Sequence, residues 1–152
     1  MVHDLGELPT ILLVEDNIDD YHATIRSFKA ARLHNPIHWC RTGTDALDYL
    51  KHEGTYAQGQ AGAMPALVLL DLNMPGLDGK KVLAAAKQDI KLKKIPIIVL
   101  TTSSDDRDVT QCYELGASTY IQKPVDFDGL IAAVGRIKDY WFGVALLPGI
   151  QK

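Results

Sequence analysis

Four short strand-like runs in this 152-residue chain, three of them apolar, are each followed by a polar side chain that could take part in chemistry. The run ILLV is followed by the acid pair Glu15 and Asp16, and the run ALVLL is followed by Asp71. The run IPIIVL is followed by Thr101, and the run STYIQ by Lys123. Each of these residues alone is ordinary in a turn or on a surface. Acids, a hydroxyl and an amine at four strand ends together indicate a site.

Three carboxylates in one small space would repel one another and raise each other's pKa unless a cation lies between them. A hard divalent ion such as Mg²⁺ takes oxygen ligands and keeps room for a phosphate oxygen in its shell. Phosphoryl transfer needs positive charge and hydrogen-bond donors around the phosphoryl oxygens. The residues therefore predict attack of Asp71 on a phosphoryl group, with Lys123 paired to one oxygen and the Thr101 hydroxyl donating to another.

Alternating strand and helix patterns would bring these positions together. The predicted strands span 10–15, 37–41, 66–71, 95–101 and 118–122, and the predicted helices span about 19–33, 43–53, 78–88, 105–115 and from about 127 onward. Strict alternation predicts right-handed crossovers and a parallel sheet with helices on both faces. In such a sheet, ligands bind beyond the carboxyl ends of the strands, where the strand order reverses.

Several residues between these elements are typical of helix ends and loops. Ser104 or Asp105 is expected to cap the fourth helix, Gly116 to end it, and Asp126 to cap the fifth. The segment 52–64 is rich in Gly, Ala and Gln, which predicts a mobile surface loop before the third strand.

The composition excludes several functional classes. With 47% hydrophobic residues and a net charge of −3, the chain suits one compact domain and lacks the basic footprint of a nucleic-acid binder. Its apolar runs are too short to span a membrane, and its acidic N-terminus is unlike a signal peptide. Cys40 and Cys112 lie far apart, and the histidines lack metal-ligand spacing, so we expect reduced thiols, no zinc site and a cytoplasmic location.

These motifs resemble the receiver domains of two-component response regulators. The resemblance rests on ILLVEDN, LLDLNMPGLDG, PIIVLTT and YIQKP, and it covers about residues 9–140. It implies a flavodoxin-like (βα)5 fold, a three-layer sandwich whose five parallel strands have the order 2-1-3-4-5. Residues 1–152 would then form a single receiver domain with a C-terminal extension from about residue 140 and no separate output domain.

The resemblance also implies a metal-dependent phosphoacceptor. Asp71 would accept the phosphoryl group from a partner histidine kinase, with Mg²⁺ as the cofactor and Mn²⁺ or Ca²⁺ able to replace it. Asp16 and Asp71 would bind the ion directly, Glu15 largely through water, and Asn73 through its backbone carbonyl. Many receivers have Asp where this chain has Glu15, a change that lengthens one arm of the acid pair and keeps its charge.

The resemblance also implies which residues would form a conformational switch. Thr101 and Tyr120 would form the switch pair, and Lys123 would pair with the phosphoryl group. Phosphorylation would draw Thr101 inward, move Tyr120 from an exposed to a buried rotamer, and so bias the face formed by helix four, strand five and helix five. The bond between Lys123 and Pro124 would be cis. Thr102 departs from the Ala or Gly of many receivers and could alter access to the site.

Three alternatives differ from this reading. A phosphatase of the haloacid dehalogenase type needs a second Asp two residues after the nucleophile, where this chain has Asn73. A flavin mononucleotide binder needs anion-binding donors in its first loop, whereas EDNIDD at 15–20 would repel a phosphate. A receiver-like interaction module that is never phosphorylated stays open, although Asp16, Asp71, Thr101 and Lys123 are all intact.

The C-terminal segment predicts a homodimer. Leu130, Val134, Ile137 and Trp141 form one core-facing stripe of the last helix. Five large apolar residues lie off this stripe and are assigned to a dimer interface: Tyr140, Phe142, Val144, Leu146 and Leu147. The alternative is that the tail folds back over its own domain. This tail and the long loop before the third strand also resemble the single-domain receivers paired with phytochrome histidine kinases.

Overall fold

The computed structural model describes residues 8–59 and 64–148. Within them, five strands alternate with five α-helices, as the sequence predicts. The strands are β1 (Ile11–Val14), β2 (Ile37–Cys40), β3 (Leu67–Leu70), β4 (Ile97–Thr101) and β5 (Thr119–Gln122). The helices are α1 (Ile18–Ala30), α2 (Gly43–Lys51), α3 (Gly79–Gln88), α4 (Asp106–Leu115) and α5 (Phe127–Trp141).

The strands form one parallel sheet in the order β2-β1-β3-β4-β5, which confirms the predicted topology. In its register, Val14 is paired with both Cys40 and Leu70, and Thr101 is paired with Gln122. Because the strands run parallel and in step, the residues that follow them meet at one edge of the sheet. The order reverses between β1 and β3, so a crevice for a ligand opens at this edge.

Helices bury both faces of the sheet, since β1 and β3 are apolar and buried at every position. On one face, Leu12 and Val14 pack with residues of α2, α3 and α4. On the other face, Ile11 and Leu13 pack with residues of α1 and α5, among them Phe28. This alternation follows from the two-residue period of a strand. The result is the predicted three-layer sandwich.

The helix ends confirm the expected capping residues. Asp105, rather than Ser104, caps α4 by accepting a hydrogen bond from the backbone N–H of Arg107. Asp126 caps α5 in the same manner. Gly116 ends α4 with a φ of 110°, in the left-handed region that glycine enters without strain.

The segment 52–64 differs from the mobile loop that its composition predicts. A 3-10 helix spans Gly54–Gly59, and the Tyr56 hydroxyl lies 3.1 Å from His38 Nε2. The Tyr56 ring also packs edge-on against Tyr49, with 5.1 Å between ring centroids. Over Gly54–Gly59 the structure therefore has a short helix where the composition predicts a loop, because aromatic packing anchors this segment to β2 and α2. Residues 60–63 of the predicted loop lie outside the described residues.

Of the five residues assigned to a dimer interface, three are exposed at the end of the chain and two pack against the domain. Tyr140, Val144 and Leu146 are 53%, 73% and 97% exposed, as expected for an interface in the free chain. Phe142 instead packs against the core shared by α1 and α5, and Leu147 is 8% exposed. Leu147 follows the alternative in which the tail folds back over its own domain, whereas Phe142 is only half-buried, and the dimer interface stays a prediction.

The chain reverses after α5, which explains the burial of Leu147. The backbone N–H groups of Val144 and Ala145 both donate to the carbonyl of Tyr140. This turn brings Leu147 back beside Leu8 and Pro9, at the amino end of β1. In the part of the chain that the structure describes, no helix is both long and apolar enough to cross a membrane.

Candidate functional site

The ends of β1 and β3 bring three carboxylates together. The backbone N–H of Glu15 donates to the carbonyl of Cys40 at 3.0 Å, and that of Asp71 donates to the carbonyl of Val14 at 3.0 Å. These ladder bonds fix both acids at the same edge of the sheet. Carboxylate oxygens of Glu15, Asp16 and Asp71 lie within 4.8 Å of one another. The predicted convergence of the acid pair and Asp71 is confirmed.

The lysine that follows β5 balances part of this negative charge. Lys123 Nζ lies 2.9 Å from Glu15 Oε1 and 3.6 Å from Asp20 Oδ2. The side chains of Lys123 and Glu15 are only 9% and 3% exposed, so this ion pair is shielded from water. The sequence places Lys123 at the site but does not predict its ion pair with Glu15.

Burial sets the protonation of this ion pair. Loss of hydration raises the pKa of the Glu15 carboxyl to about 7, since it outweighs the hydrogen bond and the charge of Lys123. The charge of Asp71 acts in the same direction as burial. Loss of hydration also opposes the charge of Lys123, but its acidic neighbours raise its pKa overall. With three acids around one ammonium group, a divalent cation would stabilise the ionised carboxylates.

Thr101 carries an unsatisfied hydroxyl at the end of β4. Its Oγ1 is the one buried side-chain polar atom without a hydrogen-bond partner among residues 8–59 and 64–148. Leaving such a group buried costs about 1–3 kcal/mol. The strand β4 lies next to β3, which Asp71 follows. A phosphoryl oxygen on Asp71 would supply the missing acceptor, so the residues present fit a phosphorylated state.

The loop after Asp71 needs two glycines. Gly76 has a φ of 75°, in the left-handed region, and Gly79 begins α3 against the backbone of Asp71 and Leu72. A Cβ atom at Gly79 would collide with the carbonyl oxygen of Asp71. Asn73 lies exposed in this loop, two residues after Asp71. Its backbone carbonyl as a metal ligand stays a prediction.

Tyr120 differs from the exposed starting position expected for a switch residue. It is partly buried against the core, and its hydroxyl donates to the carbonyl of Ser103 at 2.9 Å. Its backbone N–H donates to the hydroxyl of Tyr113 at 3.0 Å. The inward rotamer is thus already stabilised in this structure, because Ser103 satisfies the hydroxyl.

The expected cis bond between Lys123 and Pro124 is wrong. This peptide bond is trans. The trans isomer is the usual one before proline, with about 5–6% of such bonds cis in folded proteins. The backbone N–H of Lys123 donates to the carbonyl of Thr101 at 2.6 Å, which holds the lysine at the site.

Sequence patterns missed two groups of residues around the site. Trp39 donates its indole N–H to the backbone carbonyl of Glu15 at 2.7 Å. Asp108 accepts hydrogen bonds from Lys80 Nζ and from the Ser103 hydroxyl, which links α3, α4 and the loop after β4. The Trp39–Glu15 and Lys80–Asp108 contacts join residues that are distant in sequence, and the Ser103–Asp108 contact matches no known motif. No spacing rule could therefore predict these contacts.

The arrangement can hold a hard divalent metal ion and a phosphoryl group side by side. The three carboxylates offer the oxygen ligands that such an ion prefers. The Lys123 ammonium group and the orphan Thr101 hydroxyl offer positive charge and a hydrogen-bond donor nearby.

Comparison with known proteins agrees with this geometry. The sequence model of the response regulator receiver domain matches residues 11–135. The probable methanogenesis regulatory protein FilR2 of Methanothrix harundinacea is 41% identical over 140 residues, which cover 91% of this chain and 87% of FilR2. Response regulator Rcp1 of Synechocystis sp. is 37% identical, over 91% of this chain and 92% of Rcp1.

Two solved structures are similar over nearly the whole chain. The phosphorylated cyanobacterial phytochrome response regulator RcpA has a TM-score of 0.85 at 37% identity, covering 92% of this chain and 98% of RcpA. The Mn²⁺-bound form of Rcp1 has a TM-score of 0.84 at 36% identity, covering 93% of this chain and 99% of Rcp1. By the sequence of residues 11–135 and by its fold, this chain belongs to the receiver domains of response regulators.

Proposed function

We propose that Asp71 accepts a phosphoryl group from a partner histidine kinase in a reaction that depends on Mg²⁺. A carboxylate oxygen of Asp71 attacks the phosphorus of the phosphohistidine, a P–O bond forms, and the P–N bond to the imidazole breaks. The observation that carries this proposal is the position of Asp71 within 4.8 Å of Glu15 and Asp16, together with the orphan hydroxyl of Thr101. The ion supplies positive charge that neutralises phosphoryl oxygens.

The other site residues hold the phosphoryl group in this proposal. Lys123 pairs with one phosphoryl oxygen and gives up part of its contact with Glu15. The Thr101 hydroxyl donates to a second oxygen and thereby gains the acceptor that it lacks. Asp16, Asp71 and the backbone carbonyl of Asn73 would hold the ion directly, and Glu15 would act largely through water.

We propose a signalling domain rather than an enzyme that turns over a separate substrate. The position two residues after Asp71 is Asn73, whose amide cannot serve as a general acid. The output is a change of the face formed by α4, β5 and α5. Thr101 moves toward the phosphoryl group, and the Ser103–Tyr120 contact is the element that this movement biases.

A phytochrome-type histidine kinase is the proposed partner. RcpA is a cyanobacterial phytochrome response regulator, and its structure is similar to 92% of this chain with a TM-score of 0.85. Apolar side chains stand exposed next to the site, where a kinase could dock. They are Ile18, Val125 and Phe127, with exposures of 47%, 102% and 41%.

A homodimer through the C-terminal segment is also part of the proposal. Tyr140, Val144 and Leu146 present a large apolar surface to water, and such a surface usually marks an interface. A nucleic-acid partner is not proposed, because the net charge is −3. The free thiols of Cys40 and Cys112 suit a reducing compartment, so we place the protein in the cytoplasm.

Phosphotransfer from a labelled phytochrome-type kinase tests the proposed function. Wild type should take up acid-labile phosphate with Mg²⁺ and should not do so with EDTA. Asp71→Asn should take up none. Asp139→Asn is the matched control, because Asp139 is an exposed acid in the last turn of α5, at the other end of the domain. Labelling of Asp71→Asn to the level of wild type would show that the phosphoacceptor is another residue.

A further inference from the structure

Trp39 binds the backbone of the loop that carries the acid pair. It lies on β2, at the edge of the sheet, and its indole N–H donates to the carbonyl of Glu15 at 2.7 Å. The Tyr21 ring of α1 stacks on the indole, with 3.7 Å between centroids and 8° between planes. The guanidinium of Arg41 lies over the Trp39 ring at 4.9 Å. These contacts fix the plane of the indole and so the direction of its N–H.

The strand β2 thereby holds both backbone groups of Glu15. The N–H of Glu15 donates to the carbonyl of Cys40, the last bond of the ladder between the strands. Its carbonyl lies beyond the sheet and is bound by the Trp39 side chain instead. The peptide between Glu15 and Asp16 is therefore fixed at its carbonyl oxygen, and the Asp16 side chain leaves from the next Cα atom.

We propose that Trp39 is a positioning residue for the divalent metal site. Its hydrogen bond keeps the loop in the conformation in which the carboxylates of Glu15 and Asp16 converge with that of Asp71. The inference rests on the metal site proposed above and adds a residue that touches neither the ion nor the phosphoryl group. Without the indole N–H, the loop populates other conformations, and the apparent metal affinity falls with the binding-competent fraction.

The substitution Trp39→Phe separates this role from simple packing. Phenylalanine keeps an aromatic ring beside Tyr21 and removes the donor to Glu15. A net hydrogen bond of ordinary strength corresponds to a loss of about threefold to tenfold in metal affinity. Trp141→Phe is the matched control, since Trp141 packs against the core of α1 and α5 at the other end of the domain.

Mn²⁺ binding to the full chain tests the proposal without any phosphorylation. The free ion is counted by electron paramagnetic resonance during a titration of wild type, Trp39→Phe and Trp141→Phe. We expect the dissociation constant to rise about threefold to tenfold for Trp39→Phe and to stay within about twofold for Trp141→Phe. Equal affinities in all three proteins, or equal losses in both variants, would overturn the positioning role. Absence of binding by wild type would instead overturn the metal site itself.

A measurement on wild type covers the case in which Trp39→Phe fails to fold. The indole N–H resonances of Trp39 and Trp141 are followed by ¹⁵N NMR while Mg²⁺ is added. The Trp39 resonance should shift with saturation, because its acceptor is the carbonyl that precedes Asp16, and the Trp141 resonance should not. An unshifted Trp39 resonance at a saturating Mg²⁺ concentration would contradict the proposal.

Discussion

The Thr101 hydroxyl is expected to destabilise the unphosphorylated protein and to bind the phosphoryl group in the phosphorylated one. Its buried hydroxyl has no partner within the described residues, so Thr101→Val removes an unsatisfied group and keeps the shape of the side chain. We expect the free energy of unfolding to rise by about 1–3 kcal/mol, the cost of the unsatisfied group. The response to beryllofluoride with Mg²⁺ should weaken, because the phosphoryl mimic loses a donor. Urea unfolding with and without beryllofluoride measures both effects.

Ser27 supplies the control for Thr101. Its buried hydroxyl does have a partner and donates to the carbonyl of Thr24 at 2.7 Å. Ser27→Ala should therefore lower the free energy of unfolding by about 1 kcal/mol and leave the beryllofluoride response intact. If Thr101→Val destabilises the protein as much as Ser27→Ala does, then the Thr101 hydroxyl is not an orphan in solution.

Cys40 and Cys112 should be inert in the folded protein. Both are 0% exposed, and burial raises the pKa of each thiol. An unfolded thiol ionises near pH 8.5, so above that pH the unfolded chain holds fewer protons than the native one. The free energy of unfolding should therefore fall as the pH rises above about 8.5. A thiol reagent at pH 8 should label neither cysteine in buffer and both in urea, and rapid labelling in buffer would contradict their burial.

At the scale of elements, one carboxylate connects α3, α4 and the loop after β4. The Asp108 carboxylate accepts hydrogen bonds from Lys80 of α3 and from the Ser103 hydroxyl. The backbone carbonyl of Ser103 in turn accepts a hydrogen bond from the Tyr120 hydroxyl. Asp108→Ala should lower the free energy of unfolding by about 1 kcal/mol or less, since the Lys80 and Asp108 side chains are 31% and 26% exposed. Urea unfolding at low salt and at about 1 M salt should show the difference shrinking as the ion pair is screened.

Arg107 is the control for this contact between helices. It pairs with Asp105 only two residues away, and its side chain is 89% exposed. Arg107→Ala should leave stability unchanged at both salt concentrations. Equal effects of Asp108→Ala and Arg107→Ala would mean that Asp108 does not tie the helices together.

The sequence predicted those parts of the site that follow from the ends of single elements. Asp71 and Thr101 could be placed because each comes directly after an apolar run, and a parallel sheet aligns such ends. The ion pair of Lys123 with Glu15 and the Trp39 contact could not, because each depends on side-chain direction between residues on different strands. The isomer of the bond before Pro124 is a backbone detail that no residue pattern determines, so the family resemblance predicts it wrongly.

For the whole molecule, the C-terminal segment shows the same limit. Its apolar residues predicted buried surface but not which surface, and the chain places Leu147 against its own domain and leaves Leu146 97% exposed. The reversal after Tyr140 decides this division, and it depends on backbone hydrogen bonds that composition does not reveal. The exposed apolar residues Tyr140, Val144 and Leu146 are those that a second copy of the chain can still cover.

The dimer is tested on the full chain with substitutions of exposed residues only. Val144→Asp combined with Leu146→Asp should shift the protein from dimer to monomer in sedimentation at tens of micromolar, because a charge in an apolar interface is costly. Ile90→Asp is the control, since Ile90 is 79% exposed in the turn after α3. A wild type that sediments as a monomer with and without beryllofluoride would contradict the interface.

The central claim is that Asp71 carries the phosphoryl group. After incubation with a phosphodonor and Mg²⁺, borohydride reduces an aspartyl phosphate to homoserine, and mass spectrometry of the peptides locates the altered residue. We expect homoserine at position 71, dependent on both phosphodonor and metal, with Glu15 and Asp16 unchanged. Homoserine at another aspartate, or an unaltered Asp71 in a protein that has taken up acid-labile phosphate, would contradict the account.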